Sequence, residues 1–327
     1  MRLASCLNLW AALIIAAPAA AQPATTVVET VQGGDEGARA EVSEQIAFRI
    51  DAHDRMTVPV RLGGKGPYRF LVDTGADRTA VSTALATELG LTIGRTAILH
   101  SVTGTSEVKT VSIPTLQLTH NRVTSVEAPL LERAHMGADG ILGVDSLRSQ
   151  RVIFDFRKRM ISIVPSVGKM ERDEEGTIVV RGKLRRGHLI VTSAKANGAR
   201  LTVVLDTGSE MTMGNAALRA QLEARGRLGT PEAIEMMSVT GQKLKGEGFY
   251  LKRLEIGKVV LEDLMVLFAD APIFSSLDLD DRPAVLLGMN AMRAFDQISI
   301  DFARKQLRML VPERSSLDAA VMAARFH

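Results

Sequence analysis

The chain contains a single cysteine, Cys6, and a single tryptophan, Trp10, both near its N-terminus. The first residues combine a basic start with an apolar run that is too short to span a bilayer, and an Ala-x-Ala site at Ala19 to Ala21 follows. This pattern predicts a secretory signal peptide over residues 1–21, cleaved after Ala21, and therefore a periplasmic or secreted protein. Because the mature chain then lacks cysteine, disulfides and thiolate zinc sites are excluded, and apolar burial must stabilise the fold.

The chain also lacks an excess of charge of either sign. Forty Lys and Arg face 37 Asp and Glu, and aromatic residues make up only 4% of the sequence. The densest basic stretch, residues 181–188, alternates like an exposed strand edge and contains no aromatic residues, so we expect no nucleic-acid partner. The six histidines have no paired spacing, no phosphate-binding loop is present and no later apolar run could span a membrane, so we expect no metal, cofactor or integral membrane segment.

What the sequence has is an internal repeat. Asp-Thr-Gly follows an apolar run at Asp73 to Gly75 and again at Asp206 to Gly208. Similar residues follow both copies at the same distances, and an SVTG segment, an Ala-Pro step and an aliphatic-aliphatic-Gly triplet come next in the same order. The paired positions are Asp77 and Glu210, Thr79 and Thr212, Ser82 and Asn215, Ser101 and Ser238, Gly104 and Gly241, and Gly143 and Gly288.

Each copy is typical of β structure, with short apolar runs separated by turn residues such as Asn197-Gly198. Short helices are predicted after Ser82 and Asn215, ending near Gly90 and Gly226. We predict six segments: a signal peptide (1–21), a disordered or pro-like lead (22–44), an N-terminal lobe (45–165), a linker (166–176), a C-terminal lobe (177–312) and a C-terminal helix or tail (313–327).

The two Asp-Thr-Gly copies and their matching glycines resemble the retropepsin-like aspartic proteases, the fold shared by retroviral proteases and by the lobes of pepsin. The resemblance covers residues 46–312 and implies a mainly β protein of two retropepsin-like β-barrel lobes related by a pseudo-two-fold axis. It also implies that Thr74 and Thr207 cross-link the catalytic loops and that Gly143 and Gly288 are structural. Asp77, Glu210, Ser101, Gly104, Ser238 and Gly241 are expected to contribute to substrate binding, the last four from flaps over the cleft.

The chemistry explains why the motif occurs twice. Peptide hydrolysis without a metal needs one group to activate water and another to protonate the carbonyl oxygen, and two carboxyl groups that share one proton can do both. We therefore expect Asp73 and Asp206 to form one catalytic dyad in a monomer, with Gly75 and Gly208 donating backbone N–H groups to them. Ser209 replaces Ala76 in the second copy, and if its hydroxyl donates to Asp206, Asp206 ionises first.

Three functions remain open on the sequence. The first is an aspartic endopeptidase that acts on a peptide or protein substrate. The second is a pair of independent retropepsin domains, each active only as a homodimer. The third is a peptide-binding pseudo-protease that no longer cleaves.

Overall fold

The computed structural model describes residues 56–118, 121–166, 173–269 and 271–312, and the backbone of four short strands that precede them. The predicted lead (22–44), the tail (313–327) and most of the linker lie outside the described residues. The four early strands are β1 (Cys6–Asn8), β2 (Ala12–Leu13), β3 (Gln45–Ala47) and β4 (Arg49–Ile50).

The N-terminal half comprises residues 56–166. Its strands are β5 (Met56–Leu62), β6 (Lys65–Val72), β7 (Ala80–Ser82), β8 (Ile93–Ser101), β9 (Gly104–Leu118), β10 (Asn121–Leu131), β11 (Gly140–Leu142), β12 (Gln150–Asp155) and β13 (Met160–Pro165). Its helices are α1 (Thr83–Glu88), α2 (Arg133–Met136) and α3 (Val144–Leu147).

The C-terminal half comprises residues 173–312. Its strands are β14 (Thr177–Arg181), β15 (Lys183–Arg185), β16 (His188–Ala196), β17 (Ala199–Leu205), β18 (Thr212–Gly214), β19 (Glu232–Ser238), β20 (Lys243–Ile256), β21 (Val259–Phe268), β22 (Ala284–Leu287), β23 (Gln297–Asp301) and β24 (Gln306–Leu310). Its helices are α4 (Ala216–Glu223), α5 (Pro272–Ser276) and α6 (Met289–Met292).

The two halves repeat one topology. A nine-stranded sheet in the order β1-β8-β9-β10-β7-β11-β6-β5-β4 belongs to the first half, and a second sheet, β15-β16-β17-β22-β18-β21-β20-β19-β2, belongs to the second. A six-stranded sheet, β14-β24-β23-β12-β13-β3, joins them through the antiparallel pair β12 and β23. The mainly β, two-lobed fold predicted from the sequence is confirmed.

Local sequence signals account for the turns and helix ends. Asn197 and Gly198 both have positive φ (45° and 79°), as a two-residue hairpin turn requires. The side chains of Ser82 and Asn215 accept from Leu85 N–H and Leu218 N–H at 3.1 and 2.9 Å, so both predicted helix caps are confirmed.

The core unites the halves. Alternating strand residues of both halves, with Phe154 and Ile298 opposite each other in the shared sheet, form one continuous apolar cluster. Burying this surface is the main driving force that holds the halves together, since the described residues from 56 to 312 contain no cysteine that could form a disulfide. The β6–β11 and β17–β22 pairings inside this core fix the ends of the strands that lead to the two Asp-Thr-Gly loops.

Candidate active site

Each aspartate follows directly after a buried strand. Asp73 comes after β6 and its N–H donates to the Leu142 carbonyl at 3.0 Å, while Asp206 comes after β17 and its N–H donates to the Leu287 carbonyl at 3.1 Å. Because the neighbouring strands β11 and β22 run parallel to β6 and β17, the two loops leave their sheets in equivalent ways. The repeat in the sequence therefore produces a local two-fold arrangement.

The two threonines connect the loops reciprocally. Thr74 Oγ1 donates to the Leu205 carbonyl (3.1 Å) and accepts from Thr207 N–H (3.1 Å). Thr207 Oγ1 donates to the Val72 carbonyl (2.8 Å) and accepts from Thr74 N–H (3.0 Å). These four hydrogen bonds join the halves of one chain immediately below the aspartates, and each hydroxyl is both donor and acceptor.

The two carboxyl groups lie in a single site. Gly75 N–H donates to Asp73 Oδ1 at 2.8 Å, and Gly208 N–H donates to Asp206 Oδ1 at 2.9 Å. A Cβ placed on Gly208 would lie 2.2 Å from Asp73 Cγ, and one on Gly75 would lie 2.4 Å from Asp206 Oδ1. Each carboxyl group thus packs against the glycine of the opposite loop, where no side chain would fit.

Both carboxyl groups are almost completely buried, with 1% exposure for Asp73 and 0% for Asp206. Burial raises the pKa of Asp73 to about 6, against hydrogen bonds from the Gly75 and Ala76 N–H groups and the charge of His188, which lower it. Burial also raises the pKa of Asp206 well above its usual value, and the charge on Asp73 raises it further. The two carboxyl groups therefore titrate as one coupled pair.

The sequence predicted that the Ser209 hydroxyl donates to Asp206, so that Asp206 ionises first. The Ser209 hydroxyl donates to the Met211 carbonyl at 2.7 Å and not to Asp206, so the prediction that it stabilises the Asp206 charge is wrong. Backbone N–H groups at positions 76 and 209 affect the pKa of both aspartates in the same direction, so the side-chain difference between Ala76 and Ser209 does not distinguish them.

A second layer supports each loop. Thr79 donates to Asp145 Oδ1 through both its N–H (2.9 Å) and its hydroxyl (2.8 Å), and Thr212 makes the same pair of bonds to Asn290 Oδ1, both at 2.8 Å. Burial raises the pKa of Asp145, which the Thr79 bonds oppose. Sequence reasoning missed Asp145 and Asn290, although each follows the glycine of an aliphatic-aliphatic-Gly triplet by two positions.

Those glycines, Gly143 and Gly288, lie directly beneath the loops. A Cβ at Gly143 would be 2.4 Å from the Arg78 backbone carbon, and one at Gly288 would be 2.4 Å from that of Met211. The N–H groups of the two glycines donate to the hydroxyls of Thr79 and Thr212, at 3.2 and 3.1 Å. The backbone approach is too close for any other residue.

The acids at Asp77 and Glu210 are engaged in ion pairs. Asp77 Oδ1 lies 2.8 Å from Nε2 of His188, a residue of the other half, and Glu210 Oε2 lies 2.9 Å from Nη1 of Arg293 in its own half. His188 is 1% exposed, so the prediction that residues 181–188 form an exposed edge is wrong at its last position, although β15 does lie at a sheet edge. No repeat signal indicated His188, because its contact depends on the fold.

The SVTG segments form the tips of two hairpins, which we call flap 1 (β8 and β9) and flap 2 (β19 and β20). Ser101 and Ser238, each 0% exposed, hydrogen-bond within their own tips to Thr103 and Thr240. Thr103 Oγ1 also joins the tips, with Ser238 Oγ and Gln242 Oε1 both at 2.9 Å. Gly104 and Gly241 close the tips with positive φ (136° and 79°), and Gly241 lies against the His135 ring.

The valines of the tips pack into the opposite halves. Val102 of flap 1 belongs to an apolar cluster of the C-terminal half that includes Ile190 and Phe274. Val239 of flap 2 belongs to a cluster of the N-terminal half that includes Leu99 and Ile141. Each flap tip is therefore held by the half that it does not belong to.

The described residues also bear on other kinds of site. Within the described ranges, no group of three or more His, Cys, Asp or Glu side chains could hold a metal ion. In that part of the chain, no helix is long and apolar enough to cross a membrane. A cavity of about 360 Å³ lies away from the aspartates, beside Asn215, Pro272 and Phe274.

A two-lobed β fold with one Asp-Thr-Gly loop from each lobe defines an aspartic protease of the retropepsin-like class. The aspartyl protease family matches residues 58–146 and 192–291, one region in each half. Since the two regions cover more than half of the chain, the protein belongs to this family, and the resemblance seen in the sequence is confirmed. No curated protein gives a significant match to the chain.

Proposed function

We propose that this protease is a periplasmic or secreted endopeptidase, active as a monomer, in which Asp73 and Asp206 activate one water between them. The observation that carries the proposal is the reciprocal threonine bonding within one chain, together with the packing of each carboxyl group on the opposite glycine. These contacts support a single dyad made from two halves, which is the arrangement that shared-proton catalysis requires.

The proposed reaction assigns the base to Asp73 and the acid to Asp206. Ionised Asp73 takes a proton from water as the water oxygen attacks the carbonyl carbon, and neutral Asp206 gives its proton to the carbonyl oxygen. The resulting gem-diol then collapses: a proton passes from Asp73 to the amide nitrogen, the C–N bond breaks, and a gem-diol hydroxyl returns its proton to Asp206. Both carboxyl groups end in their starting states, so the cycle balances.

Strand pairing at the flaps supports an internal peptide segment as the substrate. β1 pairs in parallel with β8 of flap 1, and β2 pairs antiparallel with β19 of flap 2. An extended substrate could add to the same edges through its backbone, with little dependence on sequence. Because the chain continues beyond both pairings, the arrangement suits the interior of a polypeptide better than its end. Removal of residues 1–21 as a signal peptide would free both edges.

The substrate-binding roles of Asp77, Glu210 and the flap residues Ser101, Gly104, Ser238 and Gly241 belong to this proposal. The carboxylates of Asp77 and Glu210 already form ion pairs with His188 and Arg293. We therefore propose that Asp77 and Glu210 act in substrate binding by holding the Asp-Thr-Gly loops against the substrate backbone. The flap tips would then close over the bound segment and exclude water.

The test compares Asp73→Asn and Asp206→Asn in cleavage of an unfolded, carboxymethylated protein. A single dyad predicts that either change abolishes cleavage and that pepstatin inhibits the wild type. If each Asp-Thr-Gly instead paired with its twin in a second molecule, each variant would keep the site formed by its intact motif, and light scattering would show a dimer. A binding protein that no longer cleaves would bind the unfolded chain without cutting it in the wild type as well.

Localisation is tested separately. N-terminal sequencing of the protein recovered from the periplasm or the medium should begin at Gln22 if cleavage follows Ala21. Recovery of the uncleaved chain from the cytoplasm would contradict the proposed location but not the dyad.

A further inference from the structure

A buried histidine from the C-terminal half contacts the catalytic loop of the N-terminal half. His188 opens β16, and its ring lies between Asp77 and Thr74. Nε2 is 2.8 Å from Asp77 Oδ1, and Nδ1 is 3.2 Å from the carbonyl oxygen of Thr74, the residue next to Asp73. The ring is 1% exposed, so these two partners, and not solvent, satisfy its nitrogens.

Both partners are hydrogen-bond acceptors. A backbone carbonyl has no proton to give, so Nδ1 must carry the proton in that contact. The Asp77 side chain keeps 19% exposure, and as a carboxylate it also only accepts. An imidazole ring donates from both nitrogens only as the imidazolium cation. A ring that donates to both partners at once would therefore place a positive charge beside the Asp73 loop.

The pseudo-two-fold counterpart lacks this feature. Glu210, at the position of Asp77, pairs with Arg293 from its own half. Arg148 follows Gly143 at the distance at which Arg293 follows Gly288, but its side chain is exposed, and His188 occupies the partner position beside Asp77. Among the described residues, Asp77 is thus paired with a histidine of the opposite half, whereas Glu210 is paired with an arginine of its own half.

We propose that His188 is a positioning residue that, as an imidazolium, holds Asp77 and the Thr74 carbonyl in place and makes Asp73 the ionised member of the dyad. The proposal rests on the proposed function, since it assigns the roles within that dyad. It is consistent with the lowering effect of the His188 charge on the pKa of Asp73, which burial raises to about 6.

Charged side chains approach the His188 ring from both halves. Asp77 and Asp73 face it from the N-terminal half. On its own sheet, Arg185 is its cross-strand neighbour, but the Arg185 guanidinium is bound to the Leu277 carbonyl and Asp278. Deprotonation of His188 would therefore leave Nδ1 or Nε2 facing an acceptor without a hydrogen, and would remove the His188 charge from beside the Asp73 loop.

The first test needs no activity. In protein labelled with ¹⁵N-histidine and assigned by triple-resonance spectra, the ring nitrogens of His188 should both show the protonated, imidazolium shifts at pH 6.5. A neutral tautomer at that pH would overturn the proposal. This result is obtained even from a chain that cleaves no peptide, so it separates failure of this inference from failure of the proposed function.

The second test uses the pH profile of kcat/KM. His188→Gln should move the acidic limb to higher pH by about one unit, because the Asp73 carboxylate loses a nearby positive charge. Glu210→Gln, which breaks the matched ion pair on the other side, should lower activity without moving that limb. If both variants lower activity equally and neither moves the limb, His188 is only structural and the proposal fails. Should His188→Gln not fold, the ¹⁵N measurement on the wild type still decides.

Discussion

Replacing Gly208 by alanine should disable the enzyme without unfolding it. No unusual backbone angle is involved at this position, since Gly208 is absent from the glycines with positive φ, so the constraint is space alone. An added Cβ would lie 2.2, 2.3 and 2.4 Å from Cγ, Oδ2 and Oδ1 of Asp73. Comfortable contacts between such atoms are about 3.5 Å, so the carboxyl group must move away by about 1 Å.

Asp73 cannot make that movement and keep its geometry. Its Oδ1 accepts from Gly75 N–H at 2.8 Å, and its backbone is tied to Leu142 in the buried sheet. A displacement of about 1 Å at a reacting group typically lowers the rate by about 100-fold, equivalent to about 2.7 kcal/mol in the activation free energy. Overpacking of this kind also lowers the free energy of unfolding by about 1–3 kcal/mol.

The assay is cleavage of an unfolded protein substrate, with thermal unfolding of each variant measured alongside. Gly229→Ala is the matched control, because its Cβ would meet nothing within 4 Å and its φ is not left-handed. Gly75→Ala should behave like Gly208→Ala, since its Cβ would lie 2.4 Å from Asp206 Oδ1. A folded Gly208→Ala enzyme with activity within threefold of the wild type would refute the single-dyad geometry.

Two further predictions concern titration and the flaps. Burial raises the pKa of Asp73 from 3.8 to about 6. Between these pH values the folded protein therefore keeps a proton that the unfolded chain has released. The contribution of this proton to the stability of the folded protein is full below pH 3.8 and is lost as pH rises through 6. Asp73→Asn should therefore be more stable to urea than the wild type at pH 7.5, by on the order of 3 kcal/mol, with little difference at pH 3.5. An equal difference at both pH values would contradict this origin. For the flaps, Thr103→Cys and Ser238→Cys in a Cys6→Ser background place two cysteines at tips whose side-chain oxygens lie 2.9 Å apart. The oxidised, disulfide-linked protein should lose cleavage of long polypeptides and regain it with a reductant. Full activity of the oxidised protein would show that substrates do not need the tips to part.

The sequence allowed the equivalent positions of Asp73 and Asp206 to be predicted because the Asp-Thr-Gly motif and its flanking pattern occur twice. Each Asp-Thr-Gly follows an apolar strand, and strands in a buried parallel pairing end at a fixed place, so the in-register repeat brings Asp73 and Asp206 to equivalent positions. The helix caps at Ser82 and Asn215 were likewise predictable, because capping depends on residues only three positions apart.

Features that depend on contact between the halves were not predictable. His188 lies 111 positions from Asp77, and nothing in the repeat marks the pair. The exchange of Val102 and Val239 between lobes follows from flap closure, which no local pattern encodes. The Ser209 prediction failed for a related reason: a hydroxyl can turn to several acceptors, and here the Met211 carbonyl lies within reach of it.

Duplication within one chain has a physical consequence that a symmetric dimer lacks. Two identical halves must present identical surroundings to both aspartates, so which carboxyl group holds the shared proton is undetermined until substrate binds. Here the two halves differ in the ion pairs beside the Asp-Thr-Gly loops. Asp77 pairs with a histidine from the opposite lobe, and Glu210 pairs with an arginine from its own lobe. If the His188 proposal holds, this difference assigns base and acid before substrate arrives. The site would then be preorganised for one direction of proton transfer, and a substrate segment bound across both flaps would have a preferred orientation.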